Sequence, residues 1–434
     1  MGKRLTMVSA AAPTAPHGIS SANERPMLTS LPVDCLSSLR NGCQLRDKAM
    51  MLLLASVVVS FAICDASAED VKLVGSGVES VFDRGLIKEK VTWKNIVKYQ
   101  NAYSTAIDRN MNISGDVLAY VTPWNNHGYD VAKLHGQKFT YVSPVWLQLK
   151  YERNTGFALE GTHDIDSGWM AEVKKKKAKI VPRLIFEDWS LREIDELSSS
   201  PDKLINLGNM LHKFARDNNF DGYVLELWNR YSAGGKLANS LSVIVRTLWP
   251  PLAMFDLALI LVIPPPLHDD TVYKVFTRTH FENLKRYVTA FSMMTYDYSS
   301  ALRPGPNAPI EWMRKCVEYL VPKEGNEDYE AMHDRHKIML GLNFYGYDYT
   351  AQGGSSPILG KQFSDMLQKY KPKISWSDQF AEHYVNIRGS DGHHTVFFPT
   401  LKSISARIEL AQELGTSLSI WEIGQGMDYF YDLL

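Results

Sequence analysis

The residues with the clearest capacity for chemistry lie in one short apolar stretch, Asp221–Asn229. Alternation along a β-strand predicts that Val224, Glu226 and Trp228 share one face and that Tyr223 lies on the other. A carboxyl group can transfer a proton to a bound molecule, and an indole can stack on a flat apolar ring. The stretch therefore predicts a site that either cleaves its ligand or only holds it, depending on the residues at positions 224, 226 and 228.

Eight apolar runs of strand length alternate with amphipathic helical patterns from residue 116 onward. The runs are Asp116–Trp124, Thr140–Leu149, Lys179–Glu187, Gly222–Trp228, Ala258–Pro264, Ala290–Tyr298, Ile338–Tyr345 and Leu418–Gly424. Nearly continuous apolar runs are typical of parallel strands that are buried on both faces. The alternation predicts an α/β fold, a (β/α)8 TIM barrel that occupies residues 116–434.

The interval between the seventh and eighth runs is longer than one crossover connection needs. It contains Gly353-Gly354-Ser355-Ser356, a strand-like stretch at His394–Pro399 and a helical pattern over Leu401–Leu414. We therefore expect a small insertion between strands 7 and 8, at about residues 347–400, before the last helix of the barrel.

The N-terminal part carries the pattern of a secretory signal. Residues 1–48 are rich in Ser, Ala and Pro and predict a disordered extension, whereas residues 69–115 lead into the barrel. Between them, over residues 49–68, an apolar run of about 15 residues and Ala66-Ser67-Ala68 predict a cleaved signal peptide. The run is short for a membrane span of about 20 residues, so we expect no stable membrane insertion after cleavage.

The position of this signal leaves two interpretations open. In the first, which we favour, translation starts at Met50 or Met51, residues 1–49 are a spurious extension, and the protein is secreted. In the second, the apolar run is a signal anchor with a short cytoplasmic tail. Asn112-Ile113-Ser114 is an acceptor sequence for N-glycosylation, which suits a secreted chain.

Composition argues against several classes of partner and cofactor. The net charge of −1 gives no reason to expect nucleic acid or an anionic membrane as a partner. Of the four cysteines only Cys316 lies after residue 68, so no disulfide is predicted within the mature chain. No His or Cys set has the spacing of metal ligands, and we predict neither a metal nor a cofactor.

In a (β/α)8 barrel, ligands bind at the C-terminal ends of the strands, here called the barrel mouth. Aromatic rings at that end can stack on the apolar faces of sugars. The candidate carbohydrate-binding residues are Trp124, Trp146, Glu187, Tyr223, Glu226, Trp228, Tyr296, Asp297, Tyr345 and Trp421. The alternative is that most of these aromatic residues only cap the barrel core. A buried Glu226 would need a partner, and Arg183 on the third strand is the candidate.

The motifs on these strands, taken in order, resemble glycosyl hydrolase family 18, the chitinases and chitinase-like lectins. The resemblance covers roughly residues 80–434. It rests on Asp221-Gly222-Tyr223, Met294-Thr295-Tyr296-Asp297, Gly341-Leu342-Asn343-Phe344-Tyr345-Gly346 and Ser419-Ile420-Trp421-Glu422-Ile423-Gly424-Gln425-Gly426. It implies the barrel, its insertion and a glycan-binding groove at the mouth.

The resemblance also implies where catalysis would be expected. Active chitinases of this family carry Asp-Gly-aromatic-Asp-x-Asp-x-Glu. The final Glu protonates the glycosidic oxygen while the substrate's own N-acetyl carbonyl attacks the anomeric carbon. Here Val224, Glu226 and Trp228 stand at the last three of these positions. An indole cannot serve as a general acid, and loss of that acid typically forfeits about 10²–10⁴ in rate. We therefore predict no catalytic residue and an inactive homologue.

Three functions remain open from the sequence. The first is a secreted lectin that binds chitooligosaccharides or related glycans at the barrel mouth. The second is a glycoside hydrolase with a displaced acid at Glu187 or nearby, with Asp188 and Glu422 as further carboxylates. The third is a barrel that binds another protein and no glycan. By resemblance, the location is extracellular or lysosomal, and a cell-surface or sorting receptor is a further candidate partner.

Overall fold

The computed structural model describes residues 78–104, 113–152, 156–268, 271–322 and 329–434. The predicted extension, the signal peptide and the glycosylation acceptor Asn112 lie outside these ranges. Within the described ranges, no helix is long and apolar enough to cross a membrane.

The strands, in chain order, are β1 Val117–Val121, β2 Tyr141–Pro144, β3 Leu147–Glu152, β4 Gly156–Glu160, β5 Lys179–Ile180, β6 Arg183–Phe186, β7 Gly222–Glu226, β8 Ala258–Ile263, β9 Leu267–His268, β10 Thr271–Val272, β11 Ala290–Met293, β12 Ile338–Asn343, β13 Gly346–Thr350, β14 Ser355–Ile358, β15 Ile374–Ser377, β16 Glu382–Gly389, β17 Gly392–Phe397 and β18 Ser417–Trp421.

The helices, in chain order, are α1 Trp93–Tyr99, α2 Asn126–His135, α3 Ser167–Lys175, α4 Leu191–Ser198, α5 Pro201–Asp217, α6 Trp228–Tyr231, α7 Ala238–Ala253, α8 Arg278–Leu284, α9 Ile310–Leu320, α10 Tyr329–His336, α11 Gly360–Tyr370 and α12 Leu401–Leu414. Short 3₁₀ segments occur at Gly136–Lys138, Thr162–Asp164 and Asp428–Leu433.

The barrel wall is a sheet of parallel strands that returns to its starting point. β1 pairs with β2, β2 with β5, β6 with β7, and the pairing continues through β8, β11, β12 and β18 back to β1. β2 and β3 are two pieces of one barrel strand, and β5 and β6 are two pieces of the next. The predicted eight-stranded α/β barrel is therefore confirmed, and β4 adds an antiparallel hairpin to β3.

The break in the third barrel strand has a local cause. Pro182 lies between β5 and β6 and has no N–H with which to continue the ladder. Its carbonyl still accepts a hydrogen bond from Val224 N–H at 3.0 Å, so the third strand remains attached to the fourth. The barrel stays closed although regular pairing stops at that point.

Because side chains alternate between the two faces of each strand, the hydrophobic core divides into two clusters. A smaller cluster inside the barrel contains Leu118, Tyr120, Val224, Ile260 and Met339. The larger cluster lies between the strands and the surrounding helices, and it takes the side chains of opposite parity. This division decides which side chains can reach the barrel mouth.

Most of the predicted strands extend past the observed ones at the C-terminal end. The fourth run was expected to reach Trp228, but β7 ends at Glu226, and the sixth was expected to reach Tyr298, but β11 ends at Met293. Apolar and aromatic residues continue past the ends of β7 and β11, where they pack in a helical turn and a loop. Hydrophobicity therefore did not mark where the strands end.

The insertion between the seventh and eighth strands is present. It is an antiparallel sheet in the order β14-β13-β17-β16-β15, with α11 between β14 and β15. The predicted helix Leu401–Leu414 follows it. That helix begins at Thr400, whose hydroxyl accepts from Ser403 N–H in a capping box, and it ends at Gly415 with a φ of 73°.

The segment before the barrel is tied to the end of the chain by one buried carboxylate. Asp432 accepts hydrogen bonds from the backbone N–H groups of Val81, at 3.0 Å, and Ser104, at 2.7 Å. Arg84 approaches the same carboxylate at 3.5 Å. The described part of the N-terminal segment thus packs as part of the barrel.

We predict that Gly222→Ala destabilises the barrel by about 3 kcal/mol or more. Gly222 has a φ of 143°, and a Cβ there would lie 2.1 Å from the backbone oxygen of Ala258 on the neighbouring strand. Gly85→Ala is the matched control, because Gly85 has a φ of 57° but open space around it. It should cost about 1 kcal/mol. Urea unfolding measures both, and equal losses would contradict the assigned strand contact.

Candidate functional site

An ion pair stands inside the barrel at the base of the mouth. Glu226 is the last residue of β7, and Arg183 on the adjacent β6 is paired in register with Val224, two residues before it. Arg183 Nη1 donates to Glu226 Oε2 at 3.0 Å, and the two side chains are 15% and 23% exposed. The predicted partnership of these residues is confirmed. A charge in this position needs an opposite charge because the surrounding barrel is largely apolar.

Aromatic side chains surround this pair. Tyr120 donates its hydroxyl hydrogen to Ser292 Oγ at 2.9 Å, and its ring centroid lies 5.1 Å from that of Trp421. Trp421 and Tyr296 are half-buried and remain accessible from the mouth. Burial raises the pKa of Tyr120, so its hydroxyl stays a neutral donor. Together these residues form an apolar floor with a few polar groups.

A second carboxylate, Asp297, lies where the sixth strand ends and adopts a φ of 58°. The hydroxyls of Tyr345 and Tyr347 donate to it. The residue as a whole is exposed, but its carboxylate is turned toward these two rings. Burial raises the pKa of Asp297, whereas the tyrosine hydrogen bonds lower it. Asp297 is therefore an acceptor held in place by neighbours rather than a free group.

Two further predicted residues lie at the rim of the mouth. Glu187, after β6, forms an ion pair with Arg230, with Nη1 and Oε2 2.9 Å apart. Trp124, in the loop after β1, is 61% exposed and offers its ring to solvent. Both can contact a ligand that enters the barrel.

The placement of Trp228 on the same face as Glu226 was wrong. The strand ends at Glu226, Leu227 takes a φ of −142° and a ψ of −28°, and Trp228 begins the helical turn α6. Its indole is fully buried, donates from Nε1 to the Val275 carbonyl at 2.8 Å, and packs against Phe276. Strand alternation no longer applies after Glu226, so Trp228 belongs to the core outside the barrel.

Two other candidates were also wrong as ligand contacts. Trp146 is fully buried and donates from Nε1 to the Tyr129 hydroxyl at 2.7 Å. Tyr223 is fully buried and donates to the Leu211 carbonyl at 2.7 Å. Both point into the layer between strands and helices, where their polar ends find protein partners. Tyr345 is buried as well, and it contacts the mouth through its hydroxyl, which donates to Asp297, and through its ring, which lies against Tyr296.

Sequence reasoning missed several residues of the mouth. Tyr120 lies on the inward face of β1, and alternation from Leu118 could have identified it. Arg230 and Tyr347 had no comparable signal, because one follows the strand end and the other belongs to the insertion.

A fourth carboxylate, Glu422, follows Trp421 and is fully buried. Its oxygens accept from Asn125 Nδ2 at 2.5 Å and from the Gly424 N–H at 2.9 Å. Desolvation raises the pKa of Glu422 to about 7, against the hydrogen bonds from Gly424 and Asn125, which lower it. Its burial separates it from any ligand in the mouth.

The sequence profile of glycosyl hydrolases family 18 matches residues 116–426, which is most of the chain and all of the barrel. The chain belongs to glycosyl hydrolases family 18.

Two curated relatives come from Bacillus subtilis (strain 168). An uncharacterized glycosylase, YvbX, is 20% identical over 35% of this chain and 43% of its own length. A cortical fragment-lytic enzyme is 27% identical over 30% of each. The match thus spans less than half of either relative.

Solved structures share the fold at low identity. A chitinase from Chromobacterium violaceum has a TM-score of 0.62 at 20% identity, covering 74% of this chain and 98% of its own. The spore cortex-lytic enzyme SleL of Bacillus megaterium has a TM-score of 0.60 at 18% identity, covering 82% and 84%. A class V chitinase from Nicotiana tobaccum, solved in complex with NAG4, has a TM-score of 0.58 at 12% identity, covering 74% and 97%.

We predict that Arg183→Met and Glu226→Gln each cost about 2 kcal/mol of unfolding free energy. Each substitution leaves the partner group without its main contact inside the barrel. The double variant should cost less than the sum, with a coupling of about 1–2 kcal/mol. The exposed pair Lys361–Asp365, at 2.8 Å, is the matched control and should couple by no more than about 0.5 kcal/mol. Urea unfolding of both cycles tests this, and equal coupling in the two would contradict the described pair.

Proposed function

We propose that this chain is a secreted, chitinase-like lectin that binds chitooligosaccharides or related glycans at the barrel mouth without cleaving them. The observation that carries the proposal is the Arg183–Glu226 ion pair. Arg183 donates to Glu226 Oε2 at 3.0 Å, so this carboxyl group is bound to a partner in the barrel wall. In this proposal Glu226 shapes the floor of the mouth.

The course of the chain after β7 supports the same proposal. In the family pattern, the general acid follows two residues after the position of Glu226. Here that residue is Trp228, an indole whose only polar atom donates to Val275 in the core. Glu187, the candidate for a displaced acid, forms an ion pair with Arg230. Glu226 and Glu187, the two glutamates described at the mouth, thus each form an ion pair with an arginine.

The mouth retains surfaces that suit a sugar ring. Trp421 and Tyr296 are partly accessible at the floor, Trp124 is exposed at the rim, and Asp297 supplies an acceptor. Sugars combine apolar faces with hydroxyl donors, so aromatic rings beside a fixed carboxylate are suitable partners. The Nicotiana chitinase with bound NAG4 makes this class of ligand a reasonable choice for this mouth.

A finer resemblance supports the lectin part of the proposal. Val121-Thr122-Pro123-Trp124-Asn125, Ser143-Pro144-Val145-Trp146-Leu147-Gln148-Leu149, Arg303-Pro304-Gly305-Pro306-Asn307-Ala308-Pro309 and Tyr429-Phe430-Tyr431-Asp432-Leu433-Leu434 look like chitinase domain-containing protein 1 of animals, a secreted chitinase-like lectin. By that resemblance we propose a secreted or lysosomal location and a sorting receptor as a further partner.

We predict that calorimetry detects binding of chitotetraose and that Trp421→Ala weakens it about tenfold, since an aromatic contact with a ring is worth about 1 kcal/mol or more. Trp228→Phe is the matched control. It alters a buried tryptophan of the core and should leave the dissociation constant unchanged.

Hydrolysis is tested by chromatography of the sugar recovered from the same samples. The proposal expects intact chitotetraose. Release of shorter sugars that Glu187→Gln abolishes would establish the displaced-acid hydrolase instead. A lack of both binding and release over a broad glycan array would favour the protein-binding barrel.

Secretion is tested separately by N-terminal sequencing of the protein recovered from culture medium. The proposal expects a mature chain that starts at about residue 69, after the small-residue cleavage pattern. A chain that starts upstream of the apolar run, or that stays with the membrane fraction, would contradict cleavage and support the signal anchor.

A further inference from the structure

The loop after β1 and the first turn of α2, together called the first loop here, are in backbone contact with the loop after β18 at the mouth. A Cβ on Gly424 would lie 2.4 Å from the backbone nitrogen of Gly128 and 2.6 Å from Asn125 Nδ2. No side chain fits between the two loops at this point. Trp124 belongs to the first loop, and Trp421 immediately precedes the second. The relation between these two tryptophans therefore depends on how firmly the loops are joined.

Two side-chain links join the loops, and we call them together the mouth clamp. Asn125 Nδ2 donates to Glu422 Oε1 at 2.5 Å, and His127 Nε2 lies 2.8 Å from Asp428 Oδ1. Asn125 occupies the N-cap position of α2, where its side chain would usually accept from a helix N–H, but it makes no such bond. Its amide is directed at Glu422 instead.

We propose that Glu422 and His127 are positioning residues that hold Trp124 in place at the mouth, and that the mouth clamp closes in acid and loosens as the solution becomes basic. The inference rests on the proposed function in one respect, the contact between Trp124 and a glycan. The clamp itself is argued from the loops alone.

The groups around the clamp determine its response. Glu422 is surrounded by Asn125, His127 and Tyr129 from the first loop and α2, and by Tyr431 from the 3₁₀ segment Asp428–Leu433. His127 faces Asp428, Asp130 and Glu422. The hydrogen bond to Asp428 raises the pKa of His127 above its ordinary value, although partial burial lowers it.

Both links respond to pH in the same direction. Burial raises the pKa of Glu422 to about 7 in the closed clamp, and opening would return the carboxyl to water. Because the pKa is raised only in the closed form, closure is most favoured below the ordinary carboxyl pKa, and this preference is lost as the pH rises from there to about 7. The raised pKa of His127 changes the stability of the closed clamp in the same direction, because the ion pair with Asp428 is lost as the histidine deprotonates. Each group releases its proton to solvent as the clamp opens.

Hydrogen exchange measured by mass spectrometry tests the clamp without any ligand. Protection of the amides of residues 125–128, corrected for intrinsic exchange, should fall about tenfold or more between about pH 5 and pH 7 in the full chain. Glu422→Gln should reduce this change, and Glu422→Gln with His127→Gln should abolish it. His163→Gln alters an exposed histidine near the same loops and should keep the unmodified profile.

A second variant keeps the proposal testable if Glu422→Gln does not fold. Asn125→Ala removes the donor but keeps the carboxyl, and it should lower protection of residues 126–128 at acidic pH. A flat profile in the unmodified chain, or a profile that neither Glu422→Gln nor Asn125→Ala changes, would overturn the clamp.

Chitotetraose is the probe for the effect on binding. Its dissociation constant should rise severalfold between about pH 6 and pH 8 in the unmodified chain, but not in Trp124→Ala, which should bind weakly throughout. If exchange follows pH but no glycan binds at any pH, the clamp stands and the proposed function fails. If chitotetraose binds with a constant affinity and exchange is flat, the proposed function stands and the clamp fails.

Discussion

The need to neutralise a charge inside a closed barrel is the constraint on which the mouth depends. Glu226 enters the interior because β7 alternates and its even-numbered side chains point inward. The neighbouring interior residues, such as Val224 and Ile260, cannot solvate a carboxylate. Arg183 on the adjacent strand provides the opposite charge at 3.0 Å. The two residues fix each other, and the rings of Tyr120 and Trp421 pack above them as a floor.

The end of β7 has the next largest consequence. The chain turns at Leu227, so the indole of Trp228 enters the core between the barrel and α8 instead of the mouth. A substitution at Trp228 would therefore alter packing before it altered ligand contact. The family pattern concerns only the residue type at position 228. The structure shows in addition that the side chain at this position points away from the mouth. Trp228 carries no carboxyl group, and its side chain points into the core.

The fold was predictable to a greater extent than the site. Eight apolar runs and their helices were enough for the barrel, and the length between strands 7 and 8 was enough for the insertion. The Arg183–Glu226 pair was predictable because adjacent parallel strands with inward parity bring such residues together. Trp228 and Trp146 were misplaced for a physical reason, whereas strand alternation had already placed Tyr223 on the face away from Glu226. Large aromatic residues fill the outer layer as readily as the mouth, and nothing local distinguishes Leu227 and Trp228 from a continuing strand.

The most direct measurement is a single proton NMR experiment on chitotetraose mixed with the full chain. Saturation-transfer signals report contact of the sugar with the protein, and the anomeric protons report cleavage in the same tube. A glycan-binding barrel without a general acid should give transfer to the sugar rings while the anomeric signals of chitotetraose stay constant for days. Growth of the anomeric signals of shorter sugars, or transfer that is absent with the sugar in excess, would contradict the proposed lectin.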